Sequence, residues 1–307
     1  AYIQAALHAD EIPGMICAHH LRERLTALEA AGRIAGEIVL VPMANPIGLA
    51  QRVLGSHLGR FDLADGGNFN RHFPALADEA AERVAGQLGR DETVNVALIR
   101  RVLRDSLSQW PALTPAEHLK KALLGLALDA DLVLDLHCDS EAVMHLYTLT
   151  PQAEIFAPLA RLLGARAMLL ASESGDDPFD EACSRPWAEL AKRFPHAPIP
   201  LACAAATIEL RGERDVSRDF AVRDAEAIVG ALIADGFISG APPELPPALY
   251  RPTTLEASEP VTAPVAGMVV YRRDVGDAVS EGDVVAEIVD PLSGAVTPVK
   301  ARSSGLL

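Results

Sequence analysis

Apolar and polar positions follow two periods along most of the chain, and the two alternate. A short apolar run from Tyr2 to Leu7 predicts a buried strand that stops at His8. Pro13-Gly14 breaks the run. Met15, Ile16, Leu21, Leu25 and Leu28 then recur at helical spacing. Glu37–Pro42 predicts a second buried strand, ending in the turn signal Asn45-Pro-Ile-Gly48. The segment from there to Phe73 has no period and is rich in glycine. Helical patterns follow at Ala75–Leu88, Thr93–Leu107 and Pro115–Leu128. Ala130–His137 reads as a strand that again ends in a histidine. Val143–Thr148 (strand), Ala153–Leu163 (helix), Ala165–Leu170 (strand) and Phe179–Phe194 (a helix broken near Pro186) come next. A strand at Ala204–Leu210 and a helix at Ser217–Asp235 close the alternation. Strands alternating with helices define an α/β fold. Antiparallel pairs are compatible with this order, so the expected sheet is mixed, with helices on both faces.

The pattern changes after residue 238. Ser239–Pro260 contains six prolines and reads as a linker or irregular crossing. From 261 to 307, short β-rich runs such as Gly267–Arg272, Val275–Val279 and Glu281–Val289 alternate with turns, which predicts a small all-β module. The expected organisation is therefore a domain over 1–238, a linker over 239–260 and a β domain over 261–307. The first residue already lies within a strand pattern and the last within another, so the natural chain is expected to extend further, and a leader is left open.

The 307 residues are 50% hydrophobic and 22% charged, as in a globular protein, with a formal net charge of −15. Such a chain lacks the clustered Lys and Arg that a phosphate backbone requires, so no nucleic-acid partner is expected. No apolar run approaches membrane-spanning length, so no membrane partner is expected either. The four cysteines are scattered without a CxxC pair, as in a reducing compartment, and a cytoplasmic location is expected.

Three strand ends carry groups that could share chemistry: His8 with Glu11, His137, and Glu209. Two imidazoles and a carboxylate can form a three-ligand zinc site with an open fourth position. The competing reading makes Glu11 a helix cap beside a surface histidine. Glu209 stands on a strand of small and apolar residues, where a carboxylate is costly without a partner or a task. It suits proton transfer; the alternative is a salt bridge to Arg211 or Arg214. Asn70 and Arg71 put an amide beside a guanidinium, a handle for a carboxylate. Arg60, on the same segment, could stabilise an oxyanion, with Arg52 as fallback. Asp135 shares a strand face with His137 and could orient it. His57, His72, His145 and the His19–His20 pair are not expected to be ligands.

In order, H-x-x-E (His8, Glu11), N-P-x-G (Asn45–Gly48), N-R-x-F-P (Asn70–Pro74), D-L-H (Asp135–His137) and the strand Glu209 span about 230 residues. This series resembles the succinylglutamate desuccinylase/aspartoacylase family of zinc carboxypeptidase-like deacylases. The resemblance implies that His8, Glu11 and His137 bind one Zn2+ per chain. It implies that Asn70 and Arg71 hold a substrate carboxylate, and that Glu209 is the catalytic base and acid. Arg60 matches the family's oxyanion arginine less closely, because Ala64–Gly67 looks inserted. The β module resembles a lipoyl/biotinyl hammerhead. Its hairpin tip, Asp290–Gly294, has no carrier Lys; Lys300 falls in the next strand. The family's β domain often supplies a tyrosine, for which Tyr250 and Tyr271 are candidates.

The function expected is hydrolysis of the amide bond of an N-acyl amino acid by a zinc-dependent amidohydrolase of amino-acid metabolism. The alternatives are a metallocarboxypeptidase acting on peptide C-termini and a non-catalytic zinc-binding scaffold. The expected partner is a small N-acyl amino acid, and a homo-oligomer is expected.

Overall fold

A computed structural model describes residues 1–307. The chain forms β1 (Tyr2–Ala5), α1 (Ile12–Ala30), β2 (Val39–Val41), α2 (Pro46–Leu49), β3 (Arg52–Val53) and β4 (Ser56–His57). The helices α3 (Ala77–Val84), α4 (Glu92–Gln109) and α5 (Pro115–Ala127) follow. Next come β5 (Leu132–Asp139), β6 (His145–Leu149), α6 (Ala153–Leu163), β7 (Ala167–Ala171), α7 (Phe179–Arg193), β8 (Ala204–Gly212) and α8 (Arg218–Ala234). The remainder is β9 (Pro252–Thr254), β10 (Met268–Tyr271), β11 (Ala278–Val279), β12 (Val284–Val289), β13 (Val296–Lys300) and β14 (Gly305–Leu306).

Seven strands make one sheet in the order β2-β1-β5-β8-β6-β7-β9. All neighbours are parallel except β6 and β8, which run antiparallel. The sheet is thus mixed and mostly parallel, with helices on both faces, as expected from the alternating pattern. On one face Ile3, Leu134, Leu136 and Ile208 pack under α1, α6 and α8. On the other, Tyr2, Val133 and Ala205 meet α3, α4, α5 and α7, with Trp187 and Phe179 fully buried. Each such large side chain contributes roughly 1.5–3 kcal/mol on burial.

Several local expectations are corrected. Asn45–Gly48 is one helical turn rather than a plain turn, because the Asn45 side chain accepts a hydrogen bond from Gly48 N. The helix expected over Ala75–Leu88 is limited to α3. The helix α7 runs unbroken through Pro186. Proline there removes one backbone donor. Ala182, Cys183, Trp187 and Leu190 hold the helix against the core on both sides of it. Within the proline-rich stretch, β9 pairs with β7 as the sheet's edge.

Beyond it lie small antiparallel sheets, β10-β12-β13 and β11-β14, around a separate cluster of six buried residues that includes Val285 and Ile288. The tip between β12 and β13 is the turn Asp290–Gly294, and Lys300 is exposed in β13.

Candidate active site

The site sits at the seam where the parallel strands meet the antiparallel β6. His137 on β5 is directly opposite Glu209 on β8, and Glu209 is directly opposite His145 on β6. One row deeper on the same face, Gln4, Asp135, Thr207 and Tyr147 stand side by side. A period-two alternation puts residues i and i+2 on one face. The apolar strands therefore carry a polar ladder on the face and at the end where a cleft opens.

β1 leaves the sheet through a residue in the left-handed region, Ala6 at φ 61°, and β8 carries another, Arg211 at φ 67°, just before its last residue. Such backbone costs about 1–2 kcal/mol in a residue with a Cβ. Ala6 turns the chain away from β1 just before His8. Glu11 occupies the N-cap position of α1, yet its side chain makes no cap hydrogen bond. Its carboxylate instead accepts from Cys138 N at 3.0 Å and faces two imidazoles. His8 Nδ1 is 2.8 Å from Glu11 Oε1, and His137 Nδ1 is 2.8 Å from Glu11 Oε2. The capping alternative is thereby set aside: Glu11 belongs to the cluster.

The far ring nitrogens face side-chain amide and carboxylate groups. His8 Nε2 meets Asn68 Oδ1 at 2.8 Å, and His137 Nε2 lies 3.0 Å from Asp135 Oδ2 and 3.4 Å from Asn70 Nδ2. Asp135 is in turn fixed by Gln4 Nε2 (3.0 Å), and Gln4 by the Tyr2 hydroxyl (2.8 Å). A proton on Nε2 would leave the Nδ1 lone pair to a metal ion, the state in which imidazole binds one. Two imidazole Nδ1 atoms face two carboxylate oxygens in a buried space, so a metal ion could take the place of the protons between them. The ligand atoms of His8, Glu11 and His137 all lie within 4.8 Å of one another. This donor set fits a divalent metal such as zinc.

Burial lowers the pKa of His8. Burial would raise Glu11, but the facing His137 and His8 hold it well below the carboxylate range. Burial would lower His137, but Asp135 and Glu11 outweigh it and raise its pKa. Glu209 behaves differently. Burial pushes its carboxyl up to about 8, assisted by the charges of Glu11 and Asp139. Its Oε2 is buried without a hydrogen-bond partner. Neither Arg211 nor Arg214 pairs with it; Arg211 pairs with Asp224.

All seven residues singled out in the sequence line one cleft of about 320 Å³: His8, Glu11, Arg60, Asn70, Arg71, His137 and Glu209. Arg60 Nη2 reaches Glu11 Oε1 at 2.7 Å. Asn70 Oδ1 accepts from Phe179 N at 2.9 Å, and Arg71 Nη1 donates to the Asn70 carbonyl at 2.7 Å. Gly59 lets this segment lie against the His8–Glu11 loop, since a Cβ there would be 2.3 Å from Asp10 N.

Other candidates fall outside the cleft. Arg52 is exposed on β3. His57 bonds the Gly48 carbonyl. Tyr250 packs against the core beneath α6 and α8, and Tyr271 is 75% exposed on β10. The tyrosine that lines the cleft is Tyr147. His19 and His20 do converge, because Glu23 is i+4 from one and i+3 from the other, but they form a surface group. Sequence reasoning missed Asn68, Tyr147 and Asp180. Asn68 was visible only as part of the Asn-x-Asn-Arg run. Tyr147 was visible as two residues from His145 on a strand. Asp180 carried no signal beyond a Pro-x-Asp-Glu helix start.

Comparison with known proteins agrees with this geometry. Residues 1–103 match the succinylglutamate desuccinylase/aspartoacylase catalytic domain. A succinylglutamate desuccinylase/aspartoacylase family protein of Shewanella amazonensis is 27% identical, with a TM-score of 0.84 over 99% of this chain and 84% of its own. A protein of the same description from Shewanella frigidimarina shares the fold, at 24% identity and a TM-score of 0.84 over 99% and 82%. The ectoine utilization protein EutE (DoeB) of Ruegeria pomeroyi, in a product-bound structure, shares it at 21% identity and a TM-score of 0.67, over 100% and 78%. No curated protein matches the chain. The likeness to the succinylglutamate desuccinylase/aspartoacylase family is thus shown both by the matched domain and by the solved structures.

Proposed function

We propose that the protein is a zinc-dependent amidohydrolase that removes an acyl group from the nitrogen of an amino acid. In this reading the larger unit is a zinc carboxypeptidase-like catalytic domain. The small C-terminal sheets form a lipoyl-like module without a carrier lysine. The observation that carries the reading is the pairing of two imidazole Nδ1 atoms with one buried carboxylate, beside an unpartnered Glu209.

His8, Glu11 and His137 would hold zinc, which when bound polarises the substrate carbonyl and acidifies a water molecule. Glu209 takes a proton from the attacking water. The hydroxyl adds to the acyl carbon, the C–N bond breaks, and Glu209 returns the proton to the departing amine. A carboxyl poised near neutral pH suits both halves of this transfer. Arg60 stabilises the oxyanion. Arg71 and Asn70 anchor the amino acid's carboxylate, through a guanidinium that no protein carboxylate occupies.

Release of free amino acid from N-acyl amino acids, compared with release from unblocked peptides, tests the reading. Turnover confined to N-acyl compounds is expected. Efficient release of C-terminal residues from peptides would make the protein a carboxypeptidase instead.

A further inference from the structure

Helix α1 carries a second copy of the groups that make up the proposed zinc site. The spacing H-x-x-E occurs twice near the start of the chain, as His8–Glu11 and as His20–Glu23. In both, the histidine Nδ1 faces a carboxylate oxygen of the glutamate, at 2.8 Å in the first and 3.1 Å in the second. In both, another imidazole meets the other oxygen. For Glu11 it is His137, at 2.8 Å. For Glu23 it is His19, whose Nε2 lies 3.5 Å from Oε1. None of His19, His20 and Glu23 lines the cleft.

Adjacent helical positions point about 100° apart, which by itself keeps His19 and His20 off one ion. Glu23 bridges that gap: it is i+4 from one and i+3 from the other, and so stands between them around the axis. The two rings lie edge to face with centroids 5.0 Å apart. The ligand atoms of the three residues lie within 4.8 Å of one another, as do those of His8, Glu11 and His137. The His20 side chain is only 12% exposed, and its Nε2 is buried without a hydrogen-bond partner. Packing thus seats this ring with Nδ1 as the nitrogen aimed at the carboxylate. His19 and Glu23, at 45% and 58% exposed, leave the group open to solvent. No lysine or arginine pairs with Glu23; the neighbouring Arg24 is paired with Glu226. Glu23 is also mid-helix, where no orphan backbone N–H needs a cap. Two protonated rings this close would repel each other. Two neutral rings bring two lone pairs and a carboxylate to one point, the donor set of a three-ligand metal site.

We propose that His19, His20 and Glu23 form a second metal site, separate from the cleft, for a divalent ion that favours imidazole, such as zinc or nickel. The run from Glu11 to Glu23 spans about 18 Å along the helix. Metal pairs that share one reaction stand about 4 Å apart. The second ion therefore takes no part in chemistry at the cleft, and the site stands whether or not the cleft is that of a deacylase.

Calorimetric titration of the untagged, metal-free full chain with Zn2+ tests this, with Ni2+ as a second probe. The unmodified chain is expected to bind two equivalents. His8→Ala should lose the cleft's equivalent and keep the other. Glu23→Gln and His19→Ala change exposed side chains and leave the core untouched. Each should weaken the surface equivalent at least 30-fold, with the cleft's equivalent and the Tm of the metal-free protein unchanged. Ni2+ should compete for the equivalent that His8→Ala retains. Absence of zinc binding in His8→Ala would overturn the proposal and leave the assignment of the cleft standing. A retained equivalent that neither Glu23→Gln nor His19→Ala weakens would do the same.

Discussion

Glu209 stands directly opposite His137 on the neighbouring parallel strand, so the proposed proton carrier and a proposed metal ligand share one rung of the sheet. The register fixes their separation without help from any loop. Replacing Glu209 by Gln keeps size and burial but removes the proton acceptor. Turnover is expected to fall at least about 100-fold with zinc content unchanged. Metal analysis beside the kinetics checks this; a variant with near-normal kcat would remove Glu209 from the role.

The same residue sets a pH dependence of stability in the metal-free protein. Its folded-state pKa is raised from 4.5 to about 8, so the native state holds this proton where the unfolded chain has lost it. Its contribution is therefore fully present below pH 4.5 and is lost as pH rises toward 8. Asp180, raised to about 7, adds in the same direction. Thermal unfolding of metal-free protein at pH 5 and pH 9 should show a larger fall in Tm for the unmodified chain than for Glu209→Gln. Equal falls would contradict the assignment.

Asp135 lies behind His137 and is itself tied through Gln4 to Tyr2. Changing it to Asn exchanges a charged acceptor for a neutral amide. Zinc affinity is expected to weaken about 10–100-fold, as when an orienting partner of a metal-bound imidazole is lost. Competition with a chromophoric chelator measures it. Affinity equal to that of the unmodified protein would show that Asp135 does not orient the ligand.

Gly59 offers a test at a distance from the chemistry. A methyl group there would be 2.3 Å from Asp10 N and 2.6 Å from the Ala9 carbonyl carbon, both backbone atoms that cannot swing aside. Gly59→Ala should displace the His8–Glu11 loop and lower both Tm and zinc affinity. Normal values of both would show that the two segments can part freely.

Much of this was legible in the sequence because strands announce themselves by period and by where they stop. His8, His137 and Glu209 each close an apolar run, and three such endings converge when the runs are neighbours in one sheet. What the pattern could not supply was which charged groups are left unpaired. Arg71 and Asp180 look like any helix-entry residues along the chain, and only the packing of α7 against Asn70 brings them to one cleft. Helix α7 also shows why breaker residues mislead. Pro186 costs a hydrogen bond, but the apolar face around it is buried deeply enough to keep the helix whole. The tyrosine in the cleft came from β6 rather than from the C-terminal module, because position in the sheet, and not proximity to a domain boundary, decides what faces the site.

The most direct test of the central claim is amine release from a panel of N-acyl amino acids by one preparation in three states: as purified, stripped by chelator, and restored with one equivalent of zinc per chain. The account predicts turnover in the first state, loss of at least 99% in the second, and recovery in the third. Full turnover in the chelated protein, with zinc shown to be absent, would contradict it.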